Sequence, residues 1–573
     1  MEKTWIIKEK AEFAEIENLA SVLDVDQNIA NLLLLRGIKN EKEAKAFFEP
    51  ELSDLHDPFL MKDMNIAVDR ISTAIEKNER ILIYGDYDVD GTTSVALIYS
   101  FFKERYDNLG YYIPDRYREG YGISFEGVDY AAENNYSLII ALDCGIKAIK
   151  KVEYANGKDI DFVICDHHLP GDEIPNAVAV LDPKRNDCNY PYKDLSGCGV
   201  GFKLLQAYAK INEISFDELI PYLDLVAVSI ASDIVPVTGE NHVLTYFGLK
   251  RLNTEPRTGL SSIIKISRMT GKELSVNDVV FKIGPRINAA GRIESGSKAV
   301  DLLVSMDDAM AKEMGDRIDD YNKTRRDIDR DITREALQMI AGDPKLSNSR
   351  STVLYNPVWH KGVIGIVASR LIETYYRPTV VLTESNGSAT GSARSVPGFD
   401  LYKAIDACGD LLENFGGHMY AAGLTLKKEN VPAFQQRFEE VVNQTITDEQ
   451  LIPKVEIDAE IQFGDISDKF FQELKRFEPF GPGNMAPVFV SRNVYDYGTS
   501  RVVGASAEHL KLELVQDQDP NKPISAIAFG QAHKFQEIRW KKSFDISYSV
   551  EENNFRGEVS LQLNVKDIKV NET

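Results

Sequence analysis

Residues 84–91 read YGDYDVDG, which sets Asp86, Asp88 and Asp90 on alternate positions and follows them at once with Gly91. Carboxylates this close repel one another, so a cation is expected among them. The D-x-D-x-D-G spacing also opens a calcium-binding EF-hand loop. That loop needs a glutamate at its twelfth position, where this chain has Leu97, and a helix before it, where this chain has the β-branched, apolar run RILIY. A different metal site is expected, with ligands from elsewhere in the chain. Candidates recur downstream: Asp143 in LDCG, Asp166, His167 and His168 in CDHH, Asp182 in LDP and Asp233 in ASDIVP. Asp86, Asp88, Asp90, Asp143, His167 and Asp233 form a carboxylate-and-imidazole set that suits Mn²⁺ or Mg²⁺ better than a thiolate-preferring ion. Six groups exceed the needs of one ion and fit two. Two ions about 4 Å apart activate a water and stabilise the leaving oxygen in an in-line displacement at phosphorus. Taken singly, an aspartate at a strand end serves equally well as a helix N-cap. It is the combination that points to chemistry.

The elements that must position these groups are legible from periodicity. From about residue 80, strand-like runs (RILIYGD, YSLIIALDCG, DFVICDHH, NAVAVLDP) alternate with helical ones (TTSVALIYSFFKE, KAIKKVEYA), which predicts a parallel, doubly wound sheet. Ligands of such sheets bind outside the carboxyl ends of the strands, where the acids and histidines fall. Residues 304–342 hold no proline and dense mixed charge, and predict a long, largely solvent-exposed helix linking two units. A second α/β unit follows to about residue 450. From KVEIDAEI onward, period-two alternation such as HLKLELV predicts an all-β module, a small barrel. The expected division is a helical N-terminal extension (1–45), a catalytic unit (46–303), the linker helix (304–342), the second α/β unit (343–450) and the β module (451–573).

Composition narrows the function class. With 66 Lys and Arg against 89 Asp and Glu the net charge is −23, which by itself disfavours a nucleic-acid binder, although a basic cleft can coexist with an acidic exterior. Five cysteines form no C-x-x-C pair, and Cys144 and Cys165 read as small buried hydrophobes. No apolar run is long enough to cross a membrane and the N-terminus lacks a signal-peptide pattern, so a cytoplasmic protein is expected.

GDYDVDG, LDCG, CDHH, ASDIVP and GPRINAAGRI, in this order, resemble the DHH phosphoesterase superfamily. HKGVIGIVASRL, GSARS and FGGHMYAAG are similar to its DHHA1 domain, and FEPFGPGNMAPVF resembles the start of the OB-like module of its single-strand-specific exonucleases. The resemblance spans roughly residues 45–570. It implies a nuclease that releases 5′-mononucleotides from the 5′ end of single-stranded DNA, in repair and recombination, with two Mn²⁺ or Mg²⁺ ions. It places the metal ligands on Asp86, Asp88, Asp90, Asp143, His167 and Asp233, with Asp143 bridging the ions and His168 beside the scissile phosphate. Some branches carry a histidine where this chain has Tyr84, which implies Asp86 in its stead. Substrate binding is implied for Arg116, Arg286, Asn288, Arg292, Ser392, Arg394, Gly416, Gly417 and His418, whose glycine amides and imidazole suit a phosphate. Phe477 and Phe480 serve either base stacking or the core. Expected partners are single-stranded DNA, a single-strand-binding protein and a helicase, for a monomer without membrane association. Two alternatives stay open: a phosphodiesterase of short oligonucleotides, which has no need of the β module, and a non-catalytic scaffold, which has no need of the acidic set.

Overall fold

The computed structural model describes residues 2–516, 522–539, 542–555 and 558–570. Its catalytic unit is built on five parallel strands in the spatial order Leu109–Tyr112, Arg80–Gly85, Tyr136–Leu142, Asp161–Cys165 and Ala179–Leu181. Strand side chains alternate between faces. Ile81, Ile83, Leu138 and Ile140 accordingly enter one core, and Leu82, Tyr84, Ile139 and Ala141 enter the other. Helices Val89–Lys103 and Gly197–Ile211 pack on the first face, and Phe125–Glu133 and Ile149–Asn156 on the second. The edge strand Leu109–Tyr112 carries no strong apolar run and was not expected; its four residues are half-buried and are held by pairing with Ile81–Tyr84.

The Asp308–Gly342 helix spans 35 residues, about 50 Å at 1.5 Å per residue. It is less exposed than expected, because Ile318, Asn322, Asp329, Ile332, Ala336 and Ile340 form a buried seam at helical spacing. Beyond it lies a mixed five-stranded sheet, in the order Asn414–His418, Ala421–Leu426, Ser388–Arg394, Thr379–Ser385 and Thr352–Tyr355; only the last two strands pair in parallel.

The C-terminal strands close on themselves. Phe489–Asp496 pairs with Phe544–Phe555 on one side and with His509–Gln516 on the other, which joins the ends of the sheet into a small barrel. The N-terminal residues belong to this unit's core. Strand Thr4–Ile7 pairs in parallel with Lys454–Ile457, and Ile16, Leu19, Ile29, Leu33 and Phe48 share one apolar cluster with Phe489 and Phe544. Phe477 is fully buried there, edge-on to Phe47 and Phe48 with Arg36 over its ring, and Phe480 packs against the same cluster. Phe477 is therefore a core residue, because its ring face is already covered. No helix among the described residues is long and apolar enough to cross a membrane.

Candidate metal centre and phosphate cleft

The catalytic sheet delivers its polar groups as the strands end. Asp86 follows the first strand in sequence, Asp143 the third, and Asp166 and His167 the fourth. Asp88 caps the helix Val89–Lys103, its carboxylate accepting from the Gly91 amide at 3.0 Å. Asp90 lies in that helix's first turn and is gripped from the opposite side. Its oxygens accept from the Gly197 and Cys198 amides at 2.7 and 2.8 Å and from Ser229 Oγ at 2.7 Å. Two helix N-termini thus converge on one carboxylate, where their dipoles favour negative charge. Asp233 ends the helix Leu223–Asp233, an end whose dipole disfavours an anion, so its placement needs another cause.

Local backbone explains the glycines. A Cβ on Gly91 would lie 2.4 Å from the Asp86 carbonyl oxygen, and one on Gly197 would lie 2.6 Å from Asp143 Cβ. Asp143 itself has φ 57°, a left-handed conformation that a non-glycine residue keeps only where its surroundings enforce it.

His167 sits at the middle of the acids. Its Nε2 is 3.2 Å from Asp143 Oδ1, 3.6 Å from Asp233 Oδ2 and 3.7 Å from Asp90 Oδ2. Asp90, His167 and Asp233 form one compact donor group, and Asp143, His167 and His168 another. Asp86 and Asp88 stand outside both groups but within their electrostatic reach. Burial, followed by repulsion from Asp88, pushes Asp86 well above the usual carboxylate range; burial, then Asp90, Asp88 and Asp233, does the same to Asp143. Burial and then Asp90 raise Asp233 as well. Both ring nitrogens of His167 and Oδ2 of Asp86 are buried without a hydrogen-bond partner. Orphaned donors of this chemistry, amid carboxylates that destabilise one another, fit hard divalent cations.

His168 is held differently. Its Nδ1 is 2.7 Å from Asp166 Oδ1 and its Nε2 is 3.0 Å from the Tyr121 hydroxyl, so both nitrogens are engaged. Burial works against its charge, but the Asp166 carboxylate prevails and lifts it to about 9. Asp166 also receives the amides of Ile146, His167 and His168; burial works against its charge, but the His168 ring, then His167 and the Ile146 amide, hold it below the ordinary carboxylate range. Asp182 accepts from the Lys184 amide at 2.7 Å, and burial raises it to about 7. Tyr84 points away from the acids. Its hydroxyl donates to the Gly122 carbonyl at 3.0 Å and accepts from the Ser124 amide at 3.1 Å, while the Gly122 amide donates to Asp86 Oδ1 at 3.1 Å. Tyr84 and Asp86 therefore pin the loop 115–124, which carries Arg116, Tyr117 and Tyr121.

Facing the acids is a group of cations. Arg116 lies 4.7 Å from the centre of the Tyr87 ring. Arg292 donates to the Gly362 carbonyl at 2.7 Å, a bond from the catalytic unit to the second α/β unit, and Tyr117 donates to the Arg292 carbonyl. Arg394 donates to Ser392 Oγ at 2.8 Å, and a Cβ on Gly365 would lie 3.0 Å from its guanidinium. Burial, then Arg116, Arg325 and Arg394, lowers Arg292; burial, then Arg116, lowers Arg394. Burial, then Arg394 and His168, lowers His418, so His418 of the second unit feels the charge of His168. Among the described residues none of Arg116, Arg292, Arg325 and Arg394 makes an ion pair. Arg286 does, at 2.8 Å to Asp319 of the linker helix, and so stands apart from the others. Asn288 is half-buried, one helical turn before Arg292. Gly416, Gly417 and His418 form an exposed edge strand paired with Ala421–Gly423; Gly417 has φ 144° and no room for a Cβ beside Ala421 and Ala422.

Sequence reasoning missed Asp166 as the orienter of His168, and Tyr117, Tyr121, Arg325 and Gly365. Tyr121 had a signal, lying five residues after Arg116 in DRYREGYG. Arg325 had none, since it lies within a charge-dense helix.

Known proteins share this arrangement. The family models for the DHH family N-terminal domain, the DHHA1 domain and the RecJ OB domain match residues 80–230, 348–444 and 457–567. The single-stranded-DNA-specific exonuclease RecJ of Bacillus subtilis (strain 168) is 37% identical over 561 residues, covering 97% of this chain and 70% of that protein. The RecJ of Salmonella typhimurium is 32% identical over 566 residues, covering 95% and 96%. The crystal structure of RecJ in complex with Mn²⁺ from Thermus thermophilus superposes with a TM-score of 0.85 at 26% identity, covering 100% of this chain and 80% of that one. Motif order, fold and near-complete coverage agree, and this chain belongs to the RecJ family.

Proposed function

We infer that the protein is a metal-dependent exonuclease of single-stranded DNA that works from the 5′ end and releases 5′-mononucleotides in repair and recombination. The observation that carries this reading is the juxtaposition of buried, mutually repelling carboxylates around His167 with a group of arginines that lack counter-ions. A phosphodiester between two divalent cations and unpaired guanidinium groups satisfies both sets at once.

Asp86, Asp88, Asp90, Asp143, His167 and Asp233 would hold two ions, Mn²⁺ or Mg²⁺, with Asp143 between them. Bound there, the ions supply an activated water and charge neutralisation at the phosphoryl oxygens. His168, fixed by Asp166 and Tyr121, presents a cationic ring edge to the scissile phosphate. Arg116, Asn288 and Arg292 orient the strand. Ser392, Arg394 and the Gly416–His418 strand receive the 5′-terminal phosphate, so the gap between the two units sets both polarity and product length. An enzyme confined to unpaired strands depends on a helicase to supply them and meets strands coated by single-strand-binding protein; we place it in the cytoplasm, acting as a monomer.

The test is digestion of single strands labelled at either end. A 5′-labelled strand is expected to release labelled mononucleotide from the first time points, and a 3′-labelled strand to shorten progressively, both only with Mn²⁺ or Mg²⁺ and not after chelation. Early release of a 3′-terminal label, or degradation unaffected by chelator, would overturn the reading.

A further inference from the structure

The inward-facing seam of the linker helix runs Ile318, Asn322, the half-buried Arg325, Asp329, Ile332, Ala336 and Ile340, at spacings of three or four residues. Its ends are apolar for a plain reason. Ala311 and Ile318 pack into the catalytic unit's core, and Ile332, Ala336 and Ile340 into an apolar cluster of the second unit. Its middle is polar where the helix passes from one core to the other. Of the charged groups there, Asp329 is fully buried and pairs with Arg370 at 2.8 Å, and Asp319, ten residues earlier, pairs with Arg286 at 2.8 Å. Arg325 is the remaining seam residue. It donates to Asn322 Oδ1 at 2.8 Å, its Nε is buried without a partner, and among the described residues it makes no ion pair. Asp329 is the carboxylate whose charge acts on it, and Asp329 is ion-paired with Arg370. The charge of Arg325 is felt at Arg292, and Arg292 spans the two units through its bond to the Gly362 carbonyl.

We propose that Arg325 is a further phosphate-binding residue, taking a non-bridging oxygen of a single-strand phosphodiester next to the one held by Arg292. This rests on the single-strand exonuclease reading above. The physical reason is that a half-buried guanidinium with an orphaned Nε, crowded by like charges, gains an anionic partner only when a phosphate arrives. The linker helix then acts as more than a spacer, because it contributes to the track that the strand follows between the units.

The experiment measures kcat and KM of the Mn²⁺-loaded enzyme on a short oligothymidylate over a range of salt concentrations, for wild type, Arg325→Gln, Arg325→Lys and the exposed neighbour variant Arg326→Gln. A single-strand phosphate contact contributes about 0.7 to the slope of log affinity against log salt. Arg325→Gln is expected to raise KM about tenfold with kcat within about twofold, and to make the salt slope of kcat/KM shallower by about 0.7. Arg325→Lys is expected to restore the slope, and Arg326→Gln to leave it unchanged. An unchanged slope in Arg325→Gln, whether or not its Tm falls, overturns the proposal, as does an equal effect of Arg326→Gln. A wild type that does not degrade the oligothymidylate at all overturns the exonuclease reading itself, which distinguishes the two failures.

Discussion

Asp143 concentrates the conflict between stability and chemistry in a single side chain. It is buried, held at φ 57°, and repelled by Asp90, Asp88, Asp233 and Asp166. In Asp143→Asn the fold is expected to survive, since one repelling carboxylate is removed and the neutral amide is nearly isosteric. The metal-free variant should melt no lower than wild type, and the Mn²⁺-induced rise in Tm should shrink. On the proposed role of Asp143 as the shared ligand, cleavage should fall by at least about 10³-fold, as a bound metal ion supplies several kcal/mol of transition-state charge stabilisation. Differential scanning fluorimetry with and without Mn²⁺, beside a turnover assay, checks all three. Arg394 belongs to the same scale. The terminal-phosphate contact proposed for it would be charge-assisted and would contribute roughly 1.5–3 kcal/mol. Arg394→Ala is therefore expected to slow use of 5′-phosphorylated strands about ten- to a hundredfold and 5′-hydroxyl strands much less. Equal slowing of both substrates would remove Arg394 from the role of end-reader.

Elements bind the units together through contacts that a sequence scan passes over. The helix Glu41–Phe48 meets the helix Gly239–Thr254 through His242, which stacks on Phe47 at 4.7 Å between ring centres and donates from Nε2 to the Phe47 carbonyl at 3.1 Å. Its Nδ1 is buried without a partner, and burial brings its pKa down to about 4. The folded-state value lies below the ordinary 6.5, so the unfolded chain takes up the proton first as pH falls. The stabilisation is complete above about pH 6.5 and declines as pH drops towards 4, by on the order of 3 kcal/mol at full displacement. Thermal unfolding between neutral pH and pH 5 should show a steeper loss for wild type than for His242→Phe, which keeps a ring on Phe47 and carries no titrating nitrogen. Parallel curves would show that this contact does not govern acid stability.

The whole molecule reconciles a net charge of −23 with a polyanionic substrate by gathering unpaired arginines between two units joined by one helix. Arg292 bonds to Gly362 of the second unit and Tyr117 donates to the Arg292 carbonyl, and the strand path proposed above runs between these two units. A blunt duplex must open two or three base pairs to thread its 5′ end, at about 1.4 kcal/mol for each step. Blunt duplexes are therefore expected to be degraded roughly a hundred- to a thousandfold more slowly than single strands, and 5′ overhangs nearly as fast as single strands. Comparing initial rates on the three substrates tests this; similar rates on blunt and single-stranded DNA would sink it.

The sequence by itself determined the catalytic sheet and the positions of its acids, because buried parallel strands are continuous apolar runs and their ends are marked by the first polar residue. Asp86, Asp143 and His167 are legible for that reason. The short strand Leu109–Tyr112 was not, since its four half-buried residues become a strand only by pairing with Ile81–Tyr84. Nor was the fate of Phe477, because an aromatic near a β module looks the same in sequence whether it meets a base or Phe47 and Phe48. Tertiary structure alone decided that Arg286 is neutralised by Asp319 while Arg292 and Arg325 are not, and that Asp166 turns His168 towards Tyr121. The physical reason is that local periodicity encodes which face of an element is buried, whereas Phe47 for Phe477, Asp319 for Arg286 and Tyr121 for His168 are partners supplied from far away in the chain.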